Sequence, residues 1–568
     1  MKWEFVMQVT DGIERTQTIS AMQIPPSERT LNHLWDKRLR LSPHQPFLAF
    51  ETGAYETFED TDARVRRLAG LLIASGVRKG DRVVIFAPNS LTPVHAWMAI
   101  NLIGAVDVPI NPSLRGLPLE HAINLTQAKL ILAEDSCLSA LCECEARLDV
   151  TDVLFFTGPS AMRHPPDFIR LRVRPLTAIT ASTDFRIETA TPGDLASIML
   201  TSGTSGPSKG VMISHGQAFM AAQQVVDGLR LGADDIHYCC QPLFHMSPRY
   251  FAVYAGLIAG TRVWIDRAFQ AQRWIDRIRA SQATVTIGHG PLLEMIFDQP
   301  PREDDANNRL TRIAAAPFPK HIADGFERRF EVKGIEAWGM TEIGMPCWTP
   351  YDEPRRAGSC GHVRSDLYDF AVLDPDTDEP LPPGSIGEFA VRPRQPWTIS
   401  PGYFNDAPAT LRSWRNLWFH TGDAGYIDAD GWVYFVDRLK DRIRRRAENI
   451  SSYDIELAAS GFAHVKECAA VGVPSSYSMD DDIKLFVVPE AGHNLDPLLL
   501  LRHIGGLVPH YMVPRFIEFA DQLPRTPTQK IRRAVLRQQQ HSDRTWDRKS
   551  LGRSLRDILK EPKTANTA

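Results

Sequence analysis

The chain has 568 residues, 43% hydrophobic and 23% charged, with 64 basic against 68 acidic residues and a formal net charge of −4. That balance excludes the electrostatic footprint of a nucleic-acid or anionic-membrane binder. The length calls for roughly two to four domains rather than one core. No apolar run approaches the ~18 residues of a membrane span, and Glu4 and Asp11 interrupt any signal-peptide core. The eight cysteines are thinly spread without metal spacing, so free thiols in a cytoplasmic protein are expected.

From about residue 30 to 332 helix-like and strand-like stretches alternate. DARVRRLAGLLIASGV (62–77) reads as an amphipathic helix and DRVVIFAP (81–88) as a strand. WMAINLIGAV (97–106) reads as a second helix, followed by a short strand at 108–110. QRWIDRIRASQ (272–282) and ATVTIGHG (283–290) repeat the pattern. This alternation predicts an α/β architecture with largely parallel sheets. After Gly361 short strands and turns dominate (FAVLDPDTDEPLPPGSIGEFAVRP, then GYIDADGWVYFVDR), which predicts a β-rich subdomain. From about 441 to 540, strands at CAAVGVP, IKLFVVPE and RFIEFA with a helix at PLLLLRHIGGLV predict a small α+β domain. The basic stretch LKDRIRRRAEN reads as an exposed linker, and the last ~28 residues as a surface helix and frayed tail. The expected division is a large N-terminal domain at 1–439, a small C-terminal domain at 440–540 and a charged tail at 541–568.

Five stretches carry unusual chemistry. TSGTSGPSKG, residues 201–210, offers glycines, hydroxyls and Lys209. It departs from the P-loop pattern, because Lys209 is followed by Gly210 and the flanks read as strand on both sides. Its backbone N–H groups can form an anion nest, although alone it reads equally as a plain Gly/Ser loop. AWGMTEIG, 337–344, sets Trp338 beside a tight turn carrying Thr341 and Glu342, residue types able to stack a base, meet a phosphate and hold magnesium. WFHTGDAGYID, 418–428, places Asp423 in a turn suited to two ribose hydroxyls. DRLKDRIRRRAENISSYDIE (437–456) and LPRTPTQKIRR (523–533) complete the set. For the Trp338, Asp423 and 523–533 stretches taken alone, packed or solvated residues are the simpler reading.

In this order and spacing the five resemble the adenylate-forming superfamily of acyl-CoA synthetases, peptide-synthetase adenylation domains and luciferases. The likeness runs from about residue 30 to 538. The text is closest to carnitine/crotonobetaine-type CoA ligases, sharing the YFVDR and ENIS segments and the QPP stretch at Gln299 to Pro301. The resemblance implies two α/β subdomains and a β-rich subdomain in the large domain, with a mobile small domain. It implies ATP, magnesium and CoA, a small carboxylic acid as substrate, no nucleic-acid partner and a homodimer as an open possibility. By motif position Thr201, Ser202, Gly203, Thr204, Ser205 and Lys209 would cradle the β,γ-phosphates. Trp338 and Gly339, with Ala315, Ala316 and Pro317, would form the adenine slot. Thr341 would contact the α-phosphate, Glu342 would hold the metal, Asp423 would grip the ribose and Arg438 would approach ribose and phosphates. Lys530 would be the catalytic lysine and Lys440 the hinge.

Two departures stand out: Ala447 replaces the usual glycine before Glu448-Asn449, and Gln529 replaces the usual glycine before Lys530. On the acyl side the resemblance points to His245, a recurrent family histidine, and to Met246, Arg249, Tyr250, Gly288, His289 and Gly344. Arg249 reads either as a partner for a second carboxylate or as an exposed arginine at a helix start. A zwitterionic substrate such as carnitine would want an aromatic cage with an acidic counter-group. The main reading is an ATP-dependent acyl-CoA ligase. Its alternatives are an adenylating enzyme loading a separate carrier protein and a degenerate nucleotide-binding sensor.

Overall fold

A computed structural model describes residues 24–560 apart from 52, 160–161, 163–164, 184–185, 202–207, 439–442, 446–447, 451, 478–479, 526–530 and 540. The first sheet has seven strands, parallel except at one edge, where Leu195–Thr201 runs antiparallel to Lys209–Ser214. The second has nine strands, with a parallel centre and antiparallel pairs at both ends. Such parallel centres need both faces covered, and apolar clusters accordingly fill both sides of each sheet.

Local sequence explains the covering helices. Phe58–Ala74 opens with a capping box in which Thr57 Oγ1 accepts from Asp60 N at 3.1 Å and Asp60 Oδ2 accepts from Thr57 N at 3.0 Å. Its Val65, Leu68 and Leu72 recur at helical spacing and are buried. His215–Leu229 is instead buried almost all round, capped by Ser214, and lies between the sheets as a central post.

A five-stranded antiparallel sheet follows, including Tyr368–Leu373, Gly387–Pro393, Trp418–Ile427 and Val433–Arg438. The smaller C-terminal unit is built on a four-stranded sheet starting from the Val465–Pro474/Asp481–Pro489 hairpin. The architecture is mixed α/β, with a large N-terminal and a smaller C-terminal domain.

The structure corrects three local readings. The helix expected over 97–106 is Leu91–Leu102, and the next strand already begins at Val106. Part of the basic linker forms a hairpin, Ile443–Arg445 against Glu448–Ile450, because Ile443 and Ile450 are buried in the C-terminal core. Within the last stretch Thr545–Asp547 adds an edge strand to the C-terminal sheet, and Ile558 of the final helix is fully buried. Trp546 and Ile558 are the apolar anchors that the charged composition hides.

All eight cysteines are free, as expected. No helix among the described residues is long and apolar enough to cross a membrane.

Candidate active site

Thr201 closes one strand and Lys209, its register partner, opens the next, so the pair forms the base of the loop between them. Ser202, Gly203, Thr204 and Ser205 lie outside the described residues. The outgoing strand is joined by a later segment: Phe404 N donates to Gly210 O at 2.7 Å and Met212 N to Gly402 O at 3.0 Å. This pairing brings Tyr403 to the loop, with the Lys209 ammonium 4.7 Å from its ring centroid.

Trp338 lies on Lys333–Met340, whose neighbour in the sheet ends at Ala315. Ala315 is buried, and Ala316 and Pro317 continue from it half-buried. The strand then turns tightly through Thr341 and Glu342 and runs back from Gly344. A side chain at position 339 would begin 1.9 Å from the Gly344 carbonyl oxygen, and Gly344 has φ +71°, so the turn requires both glycines. Gln217 of the central helix donates to the carbonyls of Thr341 and Glu342 at 2.9 and 3.2 Å, which fixes the turn. Ser400 N donates to Glu342 O at 2.7 Å.

Two side-chain bonds join distant motifs. The Trp338 indole N–H donates to Asp423 Oδ2 at 3.0 Å. Its ring meets Phe370 and Phe389 edge-on, which sets its plane. The Tyr403 hydroxyl donates to Glu342 Oε1 at 2.9 Å. Glu342 and Asp423 are 6% and 2% exposed, and each carboxylate accepts a buried donor. A buried carboxylate among hydroxyls and backbone oxygens is a hard donor set that fits magnesium. Arg438 stands opposite Asp423 in the strand register. Lys440 and Lys530 lie outside the described residues, as do Ala447 and Gln529.

His245 belongs to a second group. Burial pushes His289 down to about 3, and Arg444 and His245 nearby push the same way, so its ring is neutral at physiological pH. Arg444 comes from the C-terminal hairpin, which therefore faces these histidines. The same unit touches the large domain elsewhere. Asn111 Nδ2 donates to Tyr511 at 3.2 Å, and a side chain at Gly116 would begin 2.7 Å from the Leu507 carbonyl oxygen. His121 Nε2 is 2.8 Å from Ser208 O, next to Lys209, and it also faces Asp454 of the C-terminal unit. Burial raises the Asp454 carboxyl to about 6, and His121 opposes the rise.

Arg249 fits neither sequence reading. It is 2% exposed, paired with Asp107, and its guanidinium lies 4.3 Å over the Trp97 ring. Burial raises the Asp107 carboxyl to about 6 against the pull of Arg249.

Sequence reasoning missed Tyr403, Gln217, His121 and Glu336. A tyrosine in a Gly-Tyr-Phe loop or a glutamine within a buried helix carries no spacing that marks it. Glu336 carries a faint one: an acid inside an apolar strand, two residues before Trp338.

The model of the AMP-binding enzyme family matches residues 35–404, and that of the AMP-binding enzyme C-terminal domain matches 454–530, ending on Lys530. A crotonobetaine/carnitine–CoA ligase of Salmonella agona (strain SL483) is 29% identical over 516 residues, covering 89% of this chain and 98% of that protein. ATP-bound MatB from Rhodopseudomonas palustris is 26% identical with a TM-score of 0.65, covering 89% and 98% of the two chains. A double mutant of o-succinylbenzoate CoA synthetase from Bacillus subtilis, bound with a product analogue, shares the fold at 22% identity and a TM-score of 0.77, over 89% and 98% of the chains. The chain belongs to the AMP-binding enzyme family and is an AMP-forming acid–thiol ligase.

Proposed function

We propose that the large domain activates a small carboxylic acid with ATP and that the same centre then passes the acyl group to CoA. In the first step a substrate carboxylate oxygen attacks the α-phosphorus and pyrophosphate leaves with the bonding electrons. In the second the CoA sulfur, having lost its proton, attacks the acyl carbonyl and AMP leaves. The observation that carries this reading is the bond between Trp338 and Asp423, 85 positions apart, at 3.0 Å. It sets an aromatic ring, for a base, against a carboxylate able to accept from ribose hydroxyls.

The residue roles follow from chemistry and motif position. Lys209 and Thr201, with 202–205 between them, hold the leaving pyrophosphate. Thr341 orients the α-phosphate. Glu342, held by Tyr403, supplies the oxygen for magnesium, which would neutralise phosphate charge when bound. Lys530 brings a positive charge to the attacking carboxylate and the α-phosphate oxygens, where the anionic transition state needs it. Lys440 serves as the hinge about which the small domain moves between the two steps. His245, with His289, borders the acyl side. The setting of this reading is the cytoplasm.

The test is hydroxamate trapping over a panel of carboxylic acids, comparing the wild type with Lys530→Ala. Acyl-hydroxamate from the wild type and a loss of about 10²-fold or more in the variant are expected, the scale of losing one positioned charge in a transition state. Silence across the panel, with nucleotide still bound in a titration, would favour the sensor instead. Turnover with free CoA separates the ligase from an enzyme loading a carrier protein.

A further inference from the structure

The Ser247–Tyr254 segment is wound as a π-helix, a rare form that recurs at functional sites. It starts two residues after His245 and packs against the central helix. That same helix holds the Thr341–Glu342 turn through Gln217 and the Met345 N–H through Gln224. The segment therefore stands one helix away from the reacting centre, on the side of His245.

It delivers Arg249, Tyr250 and Tyr254 to Trp97. The two tyrosine rings meet the indole edge-on at 5.6 and 6.5 Å, and the guanidinium covers its face at 4.3 Å. Asp107 pairs with Arg249 from the neighbouring sheet, and Ser197 donates to the same carboxylate at 3.3 Å. All of Trp97, Asp107, Arg249, Tyr250 and Tyr254 are at most 2% exposed. Yet Trp97 Nε1, Arg249 Nε, Tyr250 Oη, Tyr254 Oη and Asp107 Oδ1 meet no hydrogen-bond partner among the described residues. Buried polar atoms are almost always partnered, so four unpartnered donors beside one unpartnered carboxylate oxygen point to a polar occupant in which acceptor oxygens predominate.

We propose that this cluster selects acids whose far end carries a hydrogen-bond acceptor and no positive charge, and that Arg249 turns away quaternary-ammonium acids. The proposal rests on the acid-activation reading above. A trimethylammonium group offers no hydrogen bond and seeks an open aromatic face with an uncommitted carboxylate. Here the guanidinium of Arg249 covers the Trp97 face and pairs with Asp107 through Oδ2, so the carboxylate's charge is already balanced. A second cation beside it would be buried without compensation. A ketone, hydroxyl or amide oxygen would instead meet the waiting N–H and O–H groups.

The experiment measures pyrophosphate release by the full chain on three acids of one length. One ends in trimethylammonium, one in the isosteric tert-butyl group and one in a methyl ketone. The expected order of kcat/KM is ketone, then tert-butyl, then trimethylammonium, the last at least ~100-fold below its isostere. Arg249→Met should narrow that last gap by roughly 10-fold or more by freeing Asp107 and the Trp97 face. Tyr254→Phe, which keeps the ring, should lower the ketone-to-tert-butyl ratio roughly fivefold. If Arg249→Met does not fold, the wild-type order and Tyr254→Phe still decide. If all three acids are poor, the series is rebuilt on the best acid of the hydroxamate screen. A wild type that activates the trimethylammonium acid as well as its isostere overturns the proposal, and so does a Tyr254→Phe ratio that does not move. Silence of the whole screen falls on the acid-activation reading instead.

Discussion

The proposed nucleotide side and the proposed acyl side of this centre solve opposite problems with similar residues. On the nucleotide side the buried polar groups bind one another: Trp338 to Asp423, Tyr403 to Glu342, Gln217 to the turn between them. One oxygen each of Glu342 and Asp423 is held by a buried donor before any ligand arrives, which suits a partner that never changes. On the acyl side Trp97, Tyr254 and Arg249 keep donors that no described residue satisfies. That arrangement is costly when empty and rewarding only to the acid that completes it.

If this contrast holds, damage on the nucleotide side should slow every acid alike. The largest effect is expected from Glu342→Gln, which removes the charge proposed to hold magnesium while keeping size and the Tyr403 contact. Pyrophosphate release should fall by about 10²–10³-fold with each acid tested. A change in the ranking of acids would break the contrast. Next comes Asp423→Ala, which removes the ribose acceptor and leaves the Trp338 N–H unpaired. The ATP KM should rise about 10–100-fold with little change in the acid KM. A larger shift for the acid than for ATP would contradict the assignment of Asp423 to the ribose.

The same contrast explains what the sequence made legible. The motifs proposed for the nucleotide side stand out because their chemistry sits in short runs, TSGTSGPSKG, AWGMTEIG and HTGDAG, although HTGDAG, read from sequence as a turn around Asp423, lies within the strand Trp418–Ile427. The alternating α/β layers could be read from periodicity for the same reason. Long-range pairing could not. Nothing near Tyr403 announces that its hydroxyl will hold Glu342, 61 positions away, and the Gln217 contact depends on packing of a whole helix. Arg249 was misjudged because its partner, Asp107, lies 142 positions off in the other sheet. A charged residue opening a helix normally faces water; only tertiary structure shows that this one is buried and paired. The last residues were misjudged for a compositional reason, since two apolar anchors are enough to dock a charged segment.

Glu336 tests how much strain lies beneath the proposed adenine slot. It stands beside Ala315 in the sheet, 1% exposed, and its Oε2 meets no hydrogen-bond partner among the described residues. Burial lifts its carboxyl from 4.5 to about 8, opposed by a backbone bond at Phe318 and by Arg355. The folded protein therefore holds this proton where the unfolded chain has lost it. The resulting stabilisation is complete below pH 4.5 and disappears as pH rises to about 8. Glu336→Gln, which cannot ionise, should match the wild type in acid and exceed it progressively across that window. The expected gain is on the order of 5 kcal/mol at the alkaline end, read by denaturant unfolding at several pH values. A constant difference across pH would mean that the carboxyl is already ionised in the folded state. The ranking of acids should not respond, because the residue belongs to the nucleotide side.

The smallest expected effect is the sharpest probe of preorganisation. Tyr403→Phe keeps the ring beneath the Lys209 ammonium and removes only the hydroxyl that holds Glu342 Oε1. A single buried hydrogen bond to a charged oxygen is worth about 1–2 kcal/mol, so ATP–pyrophosphate exchange should fall roughly 5- to 30-fold. Because the loss acts through the orientation of Glu342, the magnesium concentration for half-maximal rate should rise in the same variant. Raising magnesium should then recover part of the rate, which it should not do for Glu342→Gln, where the charge itself is gone. Equal magnesium dependence in Tyr403→Phe and wild type would reduce Tyr403 to a packing residue and remove one of the two bonds on which the contrast between the sides is built.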